Sequence, residues 1–448
     1  MEILVGEDYH SRIMNDRRRP NALGCARPRD AAHEVWMDGT LMAVMRNTLM
    51  EPSIRIEGAS RVQSVALNRV AALTALFIAG FTTFLSVYAT QPLLPQFRQI
   101  FQASELLVSL TVSATVLAVA LAAPILGLAA DYLGRKRVIV TAIVGLAIPT
   151  ALAASSANLG QFVLWRFLQG FFIPGIIAVA IAYISEESPS HSVGWTMAIY
   201  VTGTVIGGFA GRFLSGFMAH HWGWRVGFIV LGAITFVGAA ATYWLLPRST
   251  KFVRRERSAL SLRPLSMHLR NPQLLATYAV GFNVLFCLVG VFTYVNFYLA
   301  DEPFLFGPTA LGLVFAVYLI GAAVTPVAGR ILDRAGYRLA LVGATVMGAT
   351  GMLLTLIRYV PAIIMGLALA ATCAFVCQSA ASSNVGKAAT EARSSAAGLY
   401  VALYYLGGFA GSLVPGFFWS HGGWPGCVAI IICVQAITAL IAYRLWRD

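Results

Sequence analysis

From Val70 almost to its last residue the sequence is a succession of apolar stretches of about 20 residues, separated by short polar or glycine-bearing connections. At about 1.5 Å of rise per residue such a stretch spans a bilayer core of about 30 Å. Inside lipid the backbone polar groups must be satisfied within the segment, which makes each stretch a helix. Twelve spans are expected, at about 70–92, 107–130, 138–157, 160–185, 194–218, 225–246, 274–299, 308–331, 338–358, 361–385, 395–418 and 424–446. Composition agrees: 58% of the residues are hydrophobic, 11% are charged, and the mean hydropathy is +0.73, far from a soluble domain.

A net charge of +13 would suit a nucleic-acid partner in a soluble protein. Here the cations concentrate in the N-terminal tail and in alternate loops, which is a topology signal. Between Pro247 and Asn271 lie Arg248, Lys251, Arg254, Arg255, Arg257, Arg263 and Arg270 against Glu256 alone. The loops after spans two and eight are also basic, whereas the one after span seven carries Asp301 and Glu302. Both termini are therefore expected in the cytoplasm, the lipid bilayer is the one macroscopic partner, and nucleic acid is excluded. Residues 1–69 hold ten Arg and nine Asp or Glu with no sustained apolar period, and read as a disordered cytoplasmic tail. The six cysteines have no ligand spacing with histidine, so no metal is expected.

Two internal repeats divide the rest. Gly127–Arg137, GLAADYLGRKR, is echoed 202 positions later by Gly329–Arg338, GRILDRAGYR. Tyr200–Trp224 recurs at an offset of 200 as Tyr400–Trp424, with GGFAG identical and the Tyr-Val, Gly-Phe and Gly-Trp pairs in register. The chain is thus expected to hold two six-span halves, 70–247 and 274–448, joined by a basic linker at 248–273.

The Gly-x-x-x-Asp-x-x-Gly-Arg-Lys pattern between spans two and three, with its partial copy between spans eight and nine, resembles the signature loop of the major facilitator superfamily. The resemblance implies an all-α membrane fold of twelve helices in two pseudo-symmetric halves, working by alternating access. It implies a conformational-switch loop of Gly127, Asp131, Gly134, Arg135 and Lys136, with Gly329, Asp333, Gly336 and Arg338 as the second copy. Asp131 would face the start of span eleven near Ser395, and Arg135 would reach Glu186 or Glu187. Tyr88-x-x-Gln91-Pro-Leu-Leu-Pro95, Tyr183-Ile-Ser-Glu186-Glu187 and the GGFAGR run are similar to the acriflavine-sensitivity branch of bacterial efflux permeases. That branch implies a monomeric inner-membrane permease that exports a small organic compound or drug, coupled to protons and without a cofactor. Arg166, Gln169 and Gly170 match an Arg-x-x-Gln-Gly core carried by proton-coupled members. Gly203, Gly207, Gly208, Gly211 and Arg212 occupy the place of the exporters' Gly-x-x-x-Gly-Pro-x-x-Gly-Gly motif, with Gly208 in place of the Pro and Arg212 in place of the last Gly.

Chemistry read from the residues adds to this. Gly203, Gly207 and Gly211, like Gly407, Gly408 and Gly411 in span eleven, strip side chains from a helix and let another approach. Arg166 and Arg212 stand alone as charges well inside spans, each about six residues from an end and so about 9 Å deep in one layer. No carboxylate lies mid-span to pair with them, so they must meet water, backbone carbonyls, or an anionic or electron-rich ligand. This favours anionic or polar neutral substrates over lipophilic cations. Polar and aromatic residues expected to line a central cavity are Tyr88, Gln91, Asn283, Tyr294, Asn296, Gln378 and Tyr404, beside Arg166, Gln169 and Arg212. All seven histidines fall outside the spans and no nucleotide-binding glycine loop is present, so an enzyme is excluded. The rival readings are a carrier of an organic anion or sugar-like metabolite, and a non-transporting membrane sensor.

Overall fold

The computed structural model describes residues 69–189, 191–249, 267–324, 337–389 and 393–446. The tail, most of the linker, and Gly329, Asp333 and Gly336 of the second motif lie outside them. The first half comprises α1 (69–87), a 3-10 turn at Gln91–Leu93, α2 (Leu94–Ile100), α3 (Glu105–Leu133), α4 (Arg135–Leu152), α5 (Leu159–Glu187), α6 (Val193–His221) and α7 (Trp224–Leu245). The second comprises α8 (Pro272–Ala300), α9 (Pro308–Val314), α10 (317–324), α11 (Tyr337–Leu354), α12 (Val360–Ala388) and α13 (Arg393–Leu445).

Within α13 the chain reverses at Gly423, where φ is 56°. Cys427 Sγ then lies 3.3 Å from the Pro415 carbonyl, twelve residues back, so α13 supplies spans eleven and twelve. Gly223, at φ 87°, makes the same reversal between α6 and α7. The repeated Gly-Trp pairs are thus turn signals, because only glycine holds such angles without strain. Among the described residues, nine helices are long and apolar enough to cross a membrane, and 308–324 and 338–354 add two shorter apolar helices. With α13 counted as two, the twelve spans are accounted for.

Two spans are not the unbroken helices that hydropathy suggests. Span one leaves α-helix after residue 87, turns through Tyr88, Ala89 and Thr90, and resumes only at Leu94. Pro92 and Pro95 explain it, since proline has no N–H to donate and pushes the preceding residue out of helical geometry. Span eight is broken between α9 and α10, leaving Phe315 and Tyr318 with nearly parallel rings 6.0 Å apart.

Glycine ridges set the packing within each half. A Cβ placed on Gly203, Gly207 or Gly211 would lie 2.4, 2.2 or 1.9 Å from the carbonyl oxygens of Phe77, Phe81 and Leu85, so α6 rests directly on the backbone of α1. Gly407 and Gly411 meet Phe282 and Phe286 of α8 in the same way. Gly208 and Gly408 point elsewhere: Gly208 toward Arg212 and Phe84, Gly408 toward Leu285 and Val116. The duplication also survives at side-chain level. Lys136 Nζ lies 5.3 Å from the Tyr243 ring, and Arg338 sits 4.1 Å from the Tyr443 ring, at the same place in the other half.

Candidate functional site

One end of the bundle is marked by the basic loops. Arg135, at the start of α4, donates from Nη2 to Glu186 Oε1 at 2.8 Å and from Nε to Oε2 at 3.2 Å, a forked pair with the last turn of α5. The switch-loop contact expected of Arg135 is therefore made, with Glu186 as partner and Glu187 half-buried beside it. The surroundings of Gly127 and the side chains of Asp131 and Ser395 lie outside the described residues, and so does the contact expected between Asp131 and Ser395.

Both buried arginines lie at the break in span one, and they do different things. Arg166 is fully buried. Its guanidinium donates to the carbonyls of Thr111 (3.0 Å) and Ser86 (2.8 Å), to that of Val87, and to Gln169 Oε1. Ser86 and Val87 are the last residues of α1, whose carbonyls have no helical partner. Arg166 is thus a cap on a broken helix, held by α5 and steered by Gln169, and it does not line the cavity described next.

A cavity of about 330 Å³ lies between the two halves. From the first half Phe84, Tyr88 and Gln91 of the broken span, with Val201, Thr204, Val205, Gly208, Phe209 and Arg212 of α6, form its wall. The second half contributes Leu285, Leu288, Val289, Tyr318, Phe375, Gln378, Tyr404 and Tyr405. Arg212 donates from Nε to Gln91 Oε1 at 2.8 Å and from Nη1 to the Gly208 carbonyl at 2.7 Å. Its guanidinium carbon sits 4.7 Å from the Tyr88 ring centre, 4.6 Å from Phe315 and 5.0 Å from Tyr318. A charge from one half is therefore caged by rings from both, an arrangement that favours a cation electrostatically. Among the residues lining this cavity none is Asp, Glu or His.

Of the residues expected there, Tyr88, Gln91, Arg212, Gln378 and Tyr404 line the cavity. Asn283, Tyr294 and Asn296 do not, and the expectation for them is corrected. The Asn283 side chain accepts from Cys287 one turn on, Asn296 donates to the Phe292 carbonyl of its own helix, and Tyr294 donates to the Ser412 carbonyl. Each satisfies a buried polar group inside packed helices. Sequence reasoning missed Phe84, Thr204, Phe209, Tyr318, Phe375 and Tyr405; the adjacent Tyr404-Tyr405 pair was the available signal.

Ties between the halves cluster at the end away from the basic loops. Ser412 Oγ donates to Ser113 Oγ at 2.7 Å. A Cβ on Gly216 would lie 2.2 Å from the Pro308 carbonyl, and one on Gly312 2.8 Å from that of Arg212. Outermost, Arg98 bridges Asp301 of the other half (2.7 Å) and Glu105 of its own (2.9 Å). The Asp301 side chain is 46% exposed, so solvent screens this pair to about 1 kcal/mol or less. Asp301→Asn should accordingly shift the balance toward opening at this end by up to about fivefold. Hydrogen exchange of the α9 amides should accelerate to match, and unchanged exchange would make the bridge surface decoration.

The Major Facilitator Superfamily model matches residues 76–305 and 302–448. The inner membrane transport protein YnfM of Escherichia coli is 31% identical over 381 residues, covering 83% of this chain and 90% of that protein. The multidrug resistance protein MdtG of Klebsiella pneumoniae is 28% identical over 284 residues, covering 61% of this chain and 68% of that protein. Among solved structures, an inward-facing, occupied bacterial homologue of the human lysosomal transporter Spinster superposes with a TM-score of 0.70, at 16% identity, over 84% of this chain and 97% of the other.

Proposed function

This chain belongs to the major facilitator superfamily, as a multi-pass membrane transporter, and on that premise we propose that it exports a small organic compound by alternating access, in exchange for protons. The observation that carries the reading is the cavity of about 330 Å³ walled by both halves and tied shut at one end by Ser113–Ser412 and Arg98–Asp301. Such a site, at the interface of two repeats and beside interrupted helices, is where secondary transporters bind their substrates. The basic loops assign the Arg135–Glu186 end to the cytoplasm, with both termini on that side. In that orientation the structure is closed toward the periplasm and the Arg135–Glu186 pair is an inner latch, with the protein acting as a monomer in the bacterial inner membrane. Export is supported by the glycine run of α6 and by the more distant likeness to a multidrug resistance protein. Proton coupling rests on the resemblance to proton-coupled permeases.

The test begins with metabolites depleted in cells that overproduce the protein. Added to energised everted vesicles, such a compound should dissipate the pH gradient with the native chain and fail to do so with Gly208→Trp, which fills the cavity. Equal dissipation in both would remove the cavity from the transport path, and transport without any proton movement would remove the coupling.

A further inference from the structure

We propose that the central cavity selects organic anions with an aromatic body, and that Arg212 is the group that receives the anionic head. The inference rests on the reading of the cavity as the transport site and narrows its substrate class. Arg212 is 6% exposed, and among the described residues its charge has no carboxylate partner: its two hydrogen bonds go to the neutral oxygens of Gln91 and Gly208. Both leave from Nε and Nη1, so among the described residues Nη2 makes no hydrogen bond and is left for a ligand. Arginine keeps its proton at any physiological pH, so the site holds a fixed positive charge.

The other polar groups on the wall reinforce one sign. Tyr88, Tyr318, Tyr404 and Tyr405 line the cavity with hydroxyls that are not hydrogen-bonded within the protein, and each can donate to an anion. Gln378 is engaged by the Tyr400 hydroxyl at 3.3 Å through its amide oxygen, leaving its NH₂ as a further donor. A cationic ligand would meet repulsion from Arg212 with no carboxylate on the wall to offset it. Two of the rings that could receive it by cation–π attraction, Tyr88 and Tyr318, already face the guanidinium. Phe84, Phe209 and Phe375 leave the remainder of the wall suited to a flat apolar body. Because the rings around Arg212 come from both halves, an anion that shares its charge acts on a contact that must break when the halves rock apart.

Three probes with one aromatic body and permanent charge states separate the possibilities: naphthalene-2-sulfonate, 2-naphthylmethanol and (2-naphthylmethyl)trimethylammonium. Equilibrium dialysis against the purified full-length protein should show the sulfonate bound at least about tenfold more tightly than the alcohol, with the ammonium weakest. Arg212→Gln should erase that preference, and Arg212→Lys, which keeps the charge and guards against a folding artefact, should retain part of it. Saturable binding led by the ammonium or the alcohol, and abolished by Gly208→Trp, would overturn the anion proposal while keeping the cavity as the binding site. Binding of any probe that survives Gly208→Trp unchanged would overturn the site itself. Absence of saturable sulfonate binding would likewise overturn the proposal.

Discussion

Arg166→Leu is expected to cost several kcal/mol of stability, at about 1–3 kcal/mol for each buried acceptor left without its donor, and to lower yield and melting temperature in detergent. The substitution would strip the carbonyls of Ser86, Val87 and Thr111, and the Gln169 amide, of their donor in a place that no water replaces cheaply. Two of those carbonyls end α1, so the break in span one would lose the group that makes it tolerable within the membrane. Arg166→Lys should recover little, because one ammonium cannot span acceptors that the planar fork reaches together. The contrast with Arg212 is the informative part. Arg166→Leu should fail in folding, whereas Arg212→Gln should fold and lose ligand preference. If Arg166→Leu melts like the native protein and loses only transport, Arg166 belongs to the substrate or proton path after all.

Gly211→Ala is the second large effect expected. Its new Cβ would sit 1.9 Å from the Leu85 carbonyl oxygen and 2.8 Å from Leu85 Cα, distances at which one backbone has to move. Overpacking of a tight contact costs about 1–3 kcal/mol, and a clash against backbone, which has no rotamer to yield, belongs at or above the top of that range. Gly407→Ala should behave alike in the other half, where its Cβ would lie 2.0 Å from the Phe282 carbonyl. Gly343→Ala, with nothing within 4 Å, is the control and should be neutral or mildly stabilising. Thermal melting of the three variants checks the idea, which would not survive Gly211→Ala and Gly407→Ala melting with the control.

These expectations separate residues that look alike in the sequence. Arg166 and Arg212 are both lone charges in apolar spans, at equal depth by counting. In the structure one is buried against helix-terminal carbonyls and the other faces a cavity, flanking the same break from different helices. Gly207 and Gly208 are adjacent letters of one motif, yet the first bears on α1 and the second lines the cavity.

What the sequence determined by itself is what runs along one dimension. Span length and hydropathy placed the helices, the repeats placed the two halves, and the loop motif placed the chain in its family. Hydropathy reads span one as unbroken, and its break at Pro92 and Pro95 came from the structure. What only the tertiary structure decided is which way each helix faces. A helix that is apolar all round, with lipid on one side and protein on the other, has little polar contrast to report its rotation. Hence Asn283, Tyr294 and Asn296 could not be told from Gln91 and Gln378 by spacing, and Tyr318 joined the site only because α9 and α10 break beside Arg212. The assignment of carbonyls to Arg166 and rings to Arg212 depended on the same rotation, fixed by backbone contacts between helices far apart in the chain.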